Sequence, residues 1–255
     1  MSNSPLVDYT RISPNKTSPR NHKIDTITIH CVCGQCSVET LGDIFAKSSR
    51  QASSNYGIGS DGRIGMYVEE KDRSWCSSSP ANDNRAITIE VASDTTHPYA
   101  VNDKAYASLI RLLVDICQRN DIKELKWSGD KALVGQVDKQ NMTVHRWFAA
   151  TECPGDFLYG LMGTIADTVN AQLDSKAKVN EKTFAEFLAE YRKTLQDNDA
   201  NNYSKEAREW AVSTGLIQGS GAVNNGDINY MWGDFLTREQ FVTVLYRFAK
   251  HIGKA

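Results

Sequence analysis

The sequence predicts an α/β protein with a mixed central β-sheet flanked by helices, followed by a small all-α module. Three short apolar runs with strand character carry the first part of this prediction, and helical patterns separate them along the chain. A charged stretch that begins at residue 174 marks a change to helical patterns alone. Strands that alternate with helices are typical of a sheet covered by helices, because each apolar strand face must be buried.

The three runs alternate apolar residues with Thr, and each ends on a polar side chain. They are Ile27–His30, Ile87–Glu90 and Met142–His145. Successive side chains of a strand point to opposite faces, so the apolar pairs face one layer and the terminal His or Glu faces the other. We expect these polar side chains to meet at the carboxyl edge of the sheet, where open α/β sheets carry their sites.

The other elements of the first domain follow from turn residues and helical spacing. Asp61-Gly62 indicates a hairpin turn between two short strands. The predicted elements are an irregular arm over 1–22, a helix over 38–45, strands over 55–58 and 64–68, a loop over 72–85 that rims the site, a helix over 105–116, a short strand over 126–128 and a helix over 157–173.

The charged residues 174–182 predict a linker, so the expected domains span 1–173 and 183–255. Beyond the linker, apolar residues recur at helical spacing in three stretches. Thr237 and Gln240 have the spacing of a capping box ahead of the last stretch. This second region is therefore predicted to be a helical module.

Composition excludes some partners. The formal net charge is −2 among 255 residues, so no basic field recruits nucleic acid or anionic lipid. No run approaches the roughly 18 apolar residues of a membrane span, and the first twenty residues lack the apolar core of a signal peptide. We expect a protein that is cytoplasmic on synthesis and has neither a membrane nor a nucleic acid as partner.

Cysteine and histidine suggest metal chemistry. Cys153-Pro154-Gly155 follows His145 by eight residues, and two imidazoles with one thiolate are a ligand set of catalytic zinc sites, which leave the fourth position open. A second interpretation is a closed zinc site of Cys31, Cys33 and Cys36 with His30. Strand alternation disfavours it, because it points Cys31 away from His30. These cysteines are otherwise small residues that pack a crowded loop.

The order of these residues resembles a known family. His30 ends a strand, S-S-N-Y follows at 53–56, and then come I-T-I-E, T-V-H and T-E-C-P-G. This order resembles the type 2 N-acetylmuramoyl-L-alanine amidases, which include phage endolysins and share their fold with peptidoglycan recognition proteins. The resemblance covers roughly residues 20 to 170. It implies a zinc-dependent enzyme that cleaves the amide between N-acetylmuramic acid and L-alanine in peptidoglycan.

The resemblance also assigns roles to residues. It implies that His30, His145 and Cys153 bind Zn²⁺, and that Glu90 is the catalytic acid/base beside the metal. Thr151 stands where several relatives have Lys, so a hydroxyl replaces a cation at that position and is expected to steady the oxyanion.

Several further residues are candidates for the substrate groove. Asn55, Trp75 and Arg85 are expected to meet sugar or peptide, although Trp75 and Arg85 are equally compatible with ordinary loop positions. Ser54 stands where some relatives have a catalytic Tyr. Glu90 is therefore expected to carry the acid/base role almost alone.

The carboxyl-terminal region has a weaker resemblance. W-A-V-S-T-G-L-I at 210–217, then Met231-Trp232 and L-T-R-E-Q at 236–240, resemble an S-layer homology module. A single unit implies binding to a secondary wall polymer or pairing with a second copy of the chain. Two other functions stay open for the whole protein: a non-catalytic peptidoglycan-binding protein on the same fold, and a cysteine-based redox or metal-handling protein.

Overall fold

The computed structural model describes residues 2–177, 181–195, 200–219, 223–224 and 226–254. The chain forms two compact units, residues 1–177 and 178–255. The strands of the first unit are β1 (Tyr9–Thr10), β2 (Lys16–Thr17), β3 (Thr26–Cys31), β4 (Tyr56–Ile58), β5 (Ile64–Met66), β6 (Arg73–Ser74), β7 (Ala86–Val91) and β8 (Met142–Val144). Its helices are α1 (Val38–Phe45), α2 (Pro80–Arg85), α3 (Asp103–Arg119) and α4 (Gly155–Ala177).

Six strands form the central sheet in the order β1-β5-β4-β7-β3-β8. The β4–β5 hairpin is antiparallel and the other neighbours are parallel, so the predicted mixed sheet is confirmed. The second sheet of this unit pairs β2 with β6. β3 lies between β7 and β8, and the polar residues at the ends of these strands therefore share one edge.

The two faces of the central strands are buried in different ways. On one face the isoleucines of β3 and β7 join the apolar residues of α3 and α4 in the main core. On the other face the threonines of the same strands are buried and hydrogen-bonded: Thr28 Oγ1 lies 2.7 Å from Thr143 Oγ1, and Thr88 Oγ1 lies 2.7 Å from Ser74 Oγ. This polar layer lies beneath the residues that end the strands.

Three predicted features of the first unit were wrong. The arm contains β1, whose backbone joins the edge of the central sheet through Asp8 N–Ile64 O and Arg11 N–Met66 O bonds, and β2, which pairs with β6. Residues 126–128 form no strand, since the Lys126 amide bonds to the Asn141 side chain and not to a continuing ladder. The 72–85 loop contains β6 and α2, the latter capped by Ser79.

The two units divide between residues 177 and 178, inside the predicted linker over 174–182, but the described ends of this stretch are helical. α4 continues to Ala177 and the next helix begins at Glu181, while 178–180 lie outside the described residues. Lys and Ala in this stretch are good helix formers, so charge alone did not mark a break in helical structure.

The second unit is mainly helical, as predicted. It contains α5 (Glu181–Thr194), α6 (Lys205–Ser213) and α7 (Arg238–His251), with the predicted capping box at the start of α7. It also has a short ladder of β9 (Val223–Asn224) and β10 (Asp227–Ile228), so it is not strictly all-α. Within the described parts of both units, no helix combines the length and apolar character needed to cross a membrane.

Arg20 is a buried structural cation of the first unit. Its guanidinium donates to the backbone oxygens of Glu70 (2.7 Å), Asn84 (3.0 Å), Ala86 (3.1 Å) and Asp72 (3.0 Å). These bonds tie the amino-terminal arm to the segment that contains α2.

Replacing Arg20 by Ala is expected to lower the free energy of unfolding by about 3 kcal/mol or more, because several buried carbonyls lose their donor. Arg63→Ala is the matched control, since Arg63 pairs with Glu39 on the surface and such pairs contribute about 0 to 1 kcal/mol. Urea denaturation of both variants measures the difference. Equal effects would show that the Arg20 bonds do not stabilise the arm.

Candidate metal and acid/base site

Parallel register brings the first polar residues together. His30 of β3 pairs directly with Glu90 of β7, so both side chains stand on the same face of the sheet. Val144, the last residue of β8, pairs with Ile29 of β3. His145 follows Val144 and begins a short 3-10 helix. The predicted strand therefore ends one residue early, yet His145 still lies at the carboxyl edge.

Cys153 reaches this edge from the turn that precedes α4. Gly155 begins α4 with a φ of +81°, and an added Cβ would lie 2.7 Å from the Cβ of Tyr99. Only glycine fits there without displacing Tyr99, which explains the Gly of the Cys-Pro-Gly sequence. The Arg146 amide also donates to the Cys153 carbonyl at 3.1 Å, and this bond closes the loop that returns Cys153 to His145.

His30, His145 and Cys153 form one compact group. One ligand atom from each lies within 4.8 Å of the others. Cys153 Sγ is 3.4 Å from His30 Nδ1, and the two imidazole centroids are 5.1 Å apart. His30 is completely buried, whereas His145 and Cys153 are half-buried.

These residues fit a zinc ion in both donor type and spacing. A nitrogen and a sulfur bound tetrahedrally to zinc are about 3.5 Å apart, which is close to the observed separation of His30 and Cys153. Burial and the neighbouring His145 lower the pKa of His30 to about 3, and burial lowers the pKa of His145. Both imidazoles are therefore neutral at pH 7, the form that binds metal.

Cys153 shares a hydrogen bond with Cys31. This bond lowers the pKa of Cys31 to about 7 and raises the pKa of Cys153 above its usual range, because the proton stays on Cys153. A divalent cation beside Cys153 would favour its thiolate form. Cys31 belongs to the apolar core cluster with Ile27 and Ile29, and Cys153 packs against this cluster.

Glu90 has an unusual environment for a carboxyl group. Part of the residue reaches the surface, but Oε2 is buried without a hydrogen-bond partner, and so is His30 Nε2. Burial, with the nearby Cys31 thiolate, raises the pKa of Glu90 to about 8. Cys76 contacts Glu90 Oε1 at 3.8 Å, and ligand atoms of His30, Cys76 and Glu90 lie within 4.8 Å of one another.

Comparison with known proteins identifies the family of this part of the chain. The family model for N-acetylmuramoyl-L-alanine amidases matches residues 20–156, which is more than half of the chain. The chain belongs to this family. No curated protein sequence matches it.

Several solved structures are similar to about two thirds of this chain. They include PlyL (TM-score 0.48, 14% identity, 64% of this chain and 96% of that one) and a mutant endolysin from Bacillus subtilis (0.47, 15%, 64% and 99%). An endolysin amidase, LysCS from Clostridium intestinale URNW, has a TM-score of 0.45 at 18% identity over 65% of this chain and 98% of that one. None of these likenesses is close enough to transfer a residue's role to this member of the amidase family.

Thr151 lies beside the group formed by His30, His145 and Cys153, and it lines a polar cavity. Its Oγ1 accepts a hydrogen bond from the Cys153 amide at 3.2 Å. The cavity has a volume of about 280 Å³ and is lined by His97, Tyr99, Arg146, Thr151, Glu152 and Asp156. The Arg146 guanidinium is a cation on the same cavity as Thr151. This guanidinium is paired with Asp156 at 3.1 Å and lies over the Tyr159 ring.

The three predicted groove residues occupy structural positions. Asn55 is completely buried, where its side chain donates to the Val68 carbonyl at 3.2 Å and accepts from the Thr88 amide at 3.2 Å. Trp75 is half-buried, and its Nε1 donates to Thr17 Oγ1 at 3.0 Å.

Arg85 lies at the start of β7, at the opposite end of the strands from His30, His145 and Cys153. It precedes the first residue of β7 and forms two bonds with Asp25, at 2.7 and 3.0 Å. The structure does not bring it to His30, His145 and Cys153.

The clustered cysteines do not form a site of their own. Cys31 Sγ lies 3.8 Å from Cys33 Sγ, and all six cysteines are free thiols. Among the described residues, no group of three metal ligands includes Cys33 or Cys36. The closed structural zinc site therefore receives no support from this geometry.

Sequence reasoning missed residues in the turn before α2 that contact His145 and Glu90. Ser78 Oγ lies 3.2 Å from His145 Nε2, and Cys76 lies against Glu90. A sequence signal was present, since Ser79-Pro80 combines an N-cap residue with Pro at the first helical position. That signal identifies the helix but not the residues it places at the site.

Proposed function

We propose that the first unit is a zinc-dependent peptidoglycan hydrolase that cleaves the amide between N-acetylmuramic acid and L-alanine. The observation that carries the proposal is the convergence of His30, His145 and Cys153 at the same sheet edge as a buried carboxyl group, Glu90. Membership of the amidase family supports the reaction type. The cell wall is then the place of action, reached after the protein leaves its site of synthesis.

In this proposal the chain's own residues bind the metal and move the proton. Zinc, when bound, polarises the scissile carbonyl and lowers the pKa of a nearby water to about 7. Glu90 accepts a proton from the attacking water and passes it to the amine of the departing alanine as the C–N bond breaks. The products are a lactyl carboxylate and a free alanine amino group.

Thr151 is proposed to steady the oxyanion that forms during attack. It is exposed at the cavity beside Cys153, so its hydroxyl is accessible to substrate. A donor held near the developing negative charge stabilises it more than it stabilises the neutral amide. The Arg146 guanidinium lines the same cavity, where it is paired with Asp156.

A non-catalytic peptidoglycan-binding protein is the alternative. A binding protein has no need of an ionisable carboxyl group enclosed beside three metal ligands, because burying such a group costs free energy. The buried Oε2 of Glu90 therefore favours the enzyme.

The ligand assignment predicts one zinc per chain. His30→Ala, His145→Ala and Cys153→Ser should each lose both the metal and hydrolysis of peptidoglycan, since three protein ligands are the minimum of such sites. Cys36→Ser is the control and should keep both. Elemental analysis after dialysis measures the metal, and retention of one zinc by the Cys153 variant would contradict the assignment.

The role of Glu90 predicts a pH effect. The base must be ionised, and its raised pKa moves the acid limb of kcat/KM above the pH of about 4.3 typical of an ordinary Glu. Glu90→Gln should keep zinc and fold, lower kcat by about 100-fold or more, and remove that limb. A pH–rate profile of both proteins provides the measurement. Near-normal turnover of the variant would move the base to another residue.

For the second unit, which contains the predicted module 183–255, we propose self-association through exposed apolar stripes. Of its described hydrophobic residues, only Leu195 and Leu216 are buried. One stripe follows α7 with the four-three-four spacing of a helix-pairing face and is 41–51% exposed: Phe241, Leu245, Phe248 and Ile252. A small unit with so little core gains stability by covering such a face.

The occupant proposed for this stripe is a second copy of the chain. A continuous apolar row fits another helix better than it fits a wall polysaccharide, whose hydroxyl groups need polar partners. α5 carries a similar exposed row: Phe184, Phe187 and Tyr191. The S-layer-like role in wall-polymer binding is the competing outcome.

Leu245→Glu should shift the chain to a lower mass in sedimentation at micromolar concentration, because a charge would be buried in the pair. Thr243→Glu adds the same charge to α7 off the stripe and should leave the mass unchanged. Truncation after residue 177 should give an active monomer. A full-length chain that is monomeric and binds purified wall polymer would favour the competing outcome.

A further inference from the structure

The segment 76–79 approaches the site from above the polar face of the sheet. It contains two side chains that contact residues of the proposed chemistry: Cys76 contacts Glu90 and Ser78 contacts His145. Neither contact follows from the ligand motif. Hydrogen bonds from α2 hold these contacts in place.

Asp83 fixes the segment from beneath. Its carboxylate accepts hydrogen bonds from the amides of Cys76 (3.0 Å) and Ser77 (3.2 Å) and from the Ser77 hydroxyl (2.6 Å). Asp83 is 2% exposed, so these bonds are shielded from water and the carboxylate depends on them. These hydrogen bonds therefore fix the position of the Cys76 and Ser77 backbone relative to the sheet.

Asn82, the neighbour of Asp83 on α2, attaches the same element to the ligand-bearing strands. Its amide donates to Thr28 Oγ1 at 2.9 Å and its carbonyl accepts from Thr143 Oγ1 at 3.0 Å. Thr28 lies on β3 two residues before His30, and Thr143 lies on β8 two residues before His145. α2 thus has a fixed distance from both histidines.

Ser78 has a strained backbone at the point of contact. Its φ is +62°, a left-handed conformation that non-glycine residues rarely adopt and keep only when their surroundings require it. In this conformation the hydroxyl lies 3.2 Å from His145 Nε2. An Nε2–H donating to Ser78 leaves Nδ1 as the nitrogen with a free lone pair for a metal.

Cys76 acts on Glu90 in the same way. Its thiol, a weak donor, lies 3.8 Å from Oε1, while Oε2 has no partner. One carboxylate oxygen is therefore fixed and the other is free to accept a proton. Glu90 pairs in register with Gly57 of β4, which has no side chain to hold the carboxylate from that side.

We propose that the Asp83-held segment 76–79 is the positioning element of the site, with Ser78 orienting the ligand His145 and Cys76 orienting the base Glu90. The inference rests on the proposed function for the roles of His145 and Glu90. Outer partners of this kind typically change metal affinity or activity by about 10- to 100-fold when removed. Ser78 and Cys76 are positioning residues, since neither needs to touch the substrate.

Ser78→Gly separates positioning from folding. Glycine accepts the positive φ without strain, so the variant should be as stable as the parent, yet it loses the hydroxyl. Its zinc affinity, measured by competition with a chelator, should fall about 10-fold or more. Asp121→Gly is the matched control: Asp121 is exposed with a φ of +58° near the opposite sheet edge, and its replacement should leave zinc affinity unchanged.

Cys76 is tested by a conservative pair. Cys76→Ala should lower kcat about 10-fold with little change in KM, whereas Cys76→Ser keeps a donor and should recover much of the rate. Cys117→Ala removes another buried thiol, from α3, and should not alter kcat. Melting temperatures of all variants show whether any loss comes from unfolding.

The outcomes separate this inference from the proposed function. A parent protein that binds zinc but cleaves no peptidoglycan would overturn the proposed function, while the zinc affinity of Ser78→Gly would still test the positioning of His145. An active parent whose Ser78→Gly and Cys76→Ala variants match it in zinc affinity and kcat would overturn the inference alone. Equal losses in Cys76→Ala and Cys76→Ser at unchanged stability would overturn the hydrogen-bonding role of Cys76.

Discussion

The parallel pairing of β3 with β7 and β8 is the constraint on which the site depends. The pairing with β7 places His30 directly beside Glu90. The pairing with β8 places His145, which follows the last residue of β8, next to the end of β3. A slip of one residue in either pairing would turn the polar side chains to the opposite face and the isoleucines away from the core. The apolar core under α3 and α4 therefore fixes the register, and the register fixes the site.

The buried polar face is the second requirement. Thr28, Thr88 and Thr143 would destabilise an ordinary core, because each hydroxyl needs a partner when water is excluded. Here they bond to one another, to Ser74 and to Asn82. The same bonds anchor α2, so the groups that satisfy this layer also bring the 76–79 segment to His145 and Glu90. Stability of the polar layer and geometry of the site are consequently linked.

Sequence patterns predicted the strands and their chemistry better than the loops. The Ile-Thr-Ile alternation predicted β3 and β7 and the face that carries His30 and Glu90, because strand periodicity depends only on local spacing. Arg85 and Asn55 show where such reasoning ends. Their partners, Asp25 and the Val68 carbonyl, are distant in sequence, and a single sequence gives no sign of these contacts.

The helical ends of the 174–182 stretch and the helix α2 were missed for a different reason. Charged residues form helices readily, and short capped helices have too few residues for an apolar period. The contacts of Cys76 and Ser78 depend on Asp83, whose role appears only when the turn and the helix are seen together.

The central claim is that this chain cuts one particular amide. Digestion of purified peptidoglycan, followed by mass spectrometry with labelling of new amino groups and new reducing ends, tests it most directly. The account predicts new amino-terminal alanine on the stem peptides and no new reducing sugar. New reducing ends, or cleavage at another peptide bond without release of alanine amino groups, would contradict it.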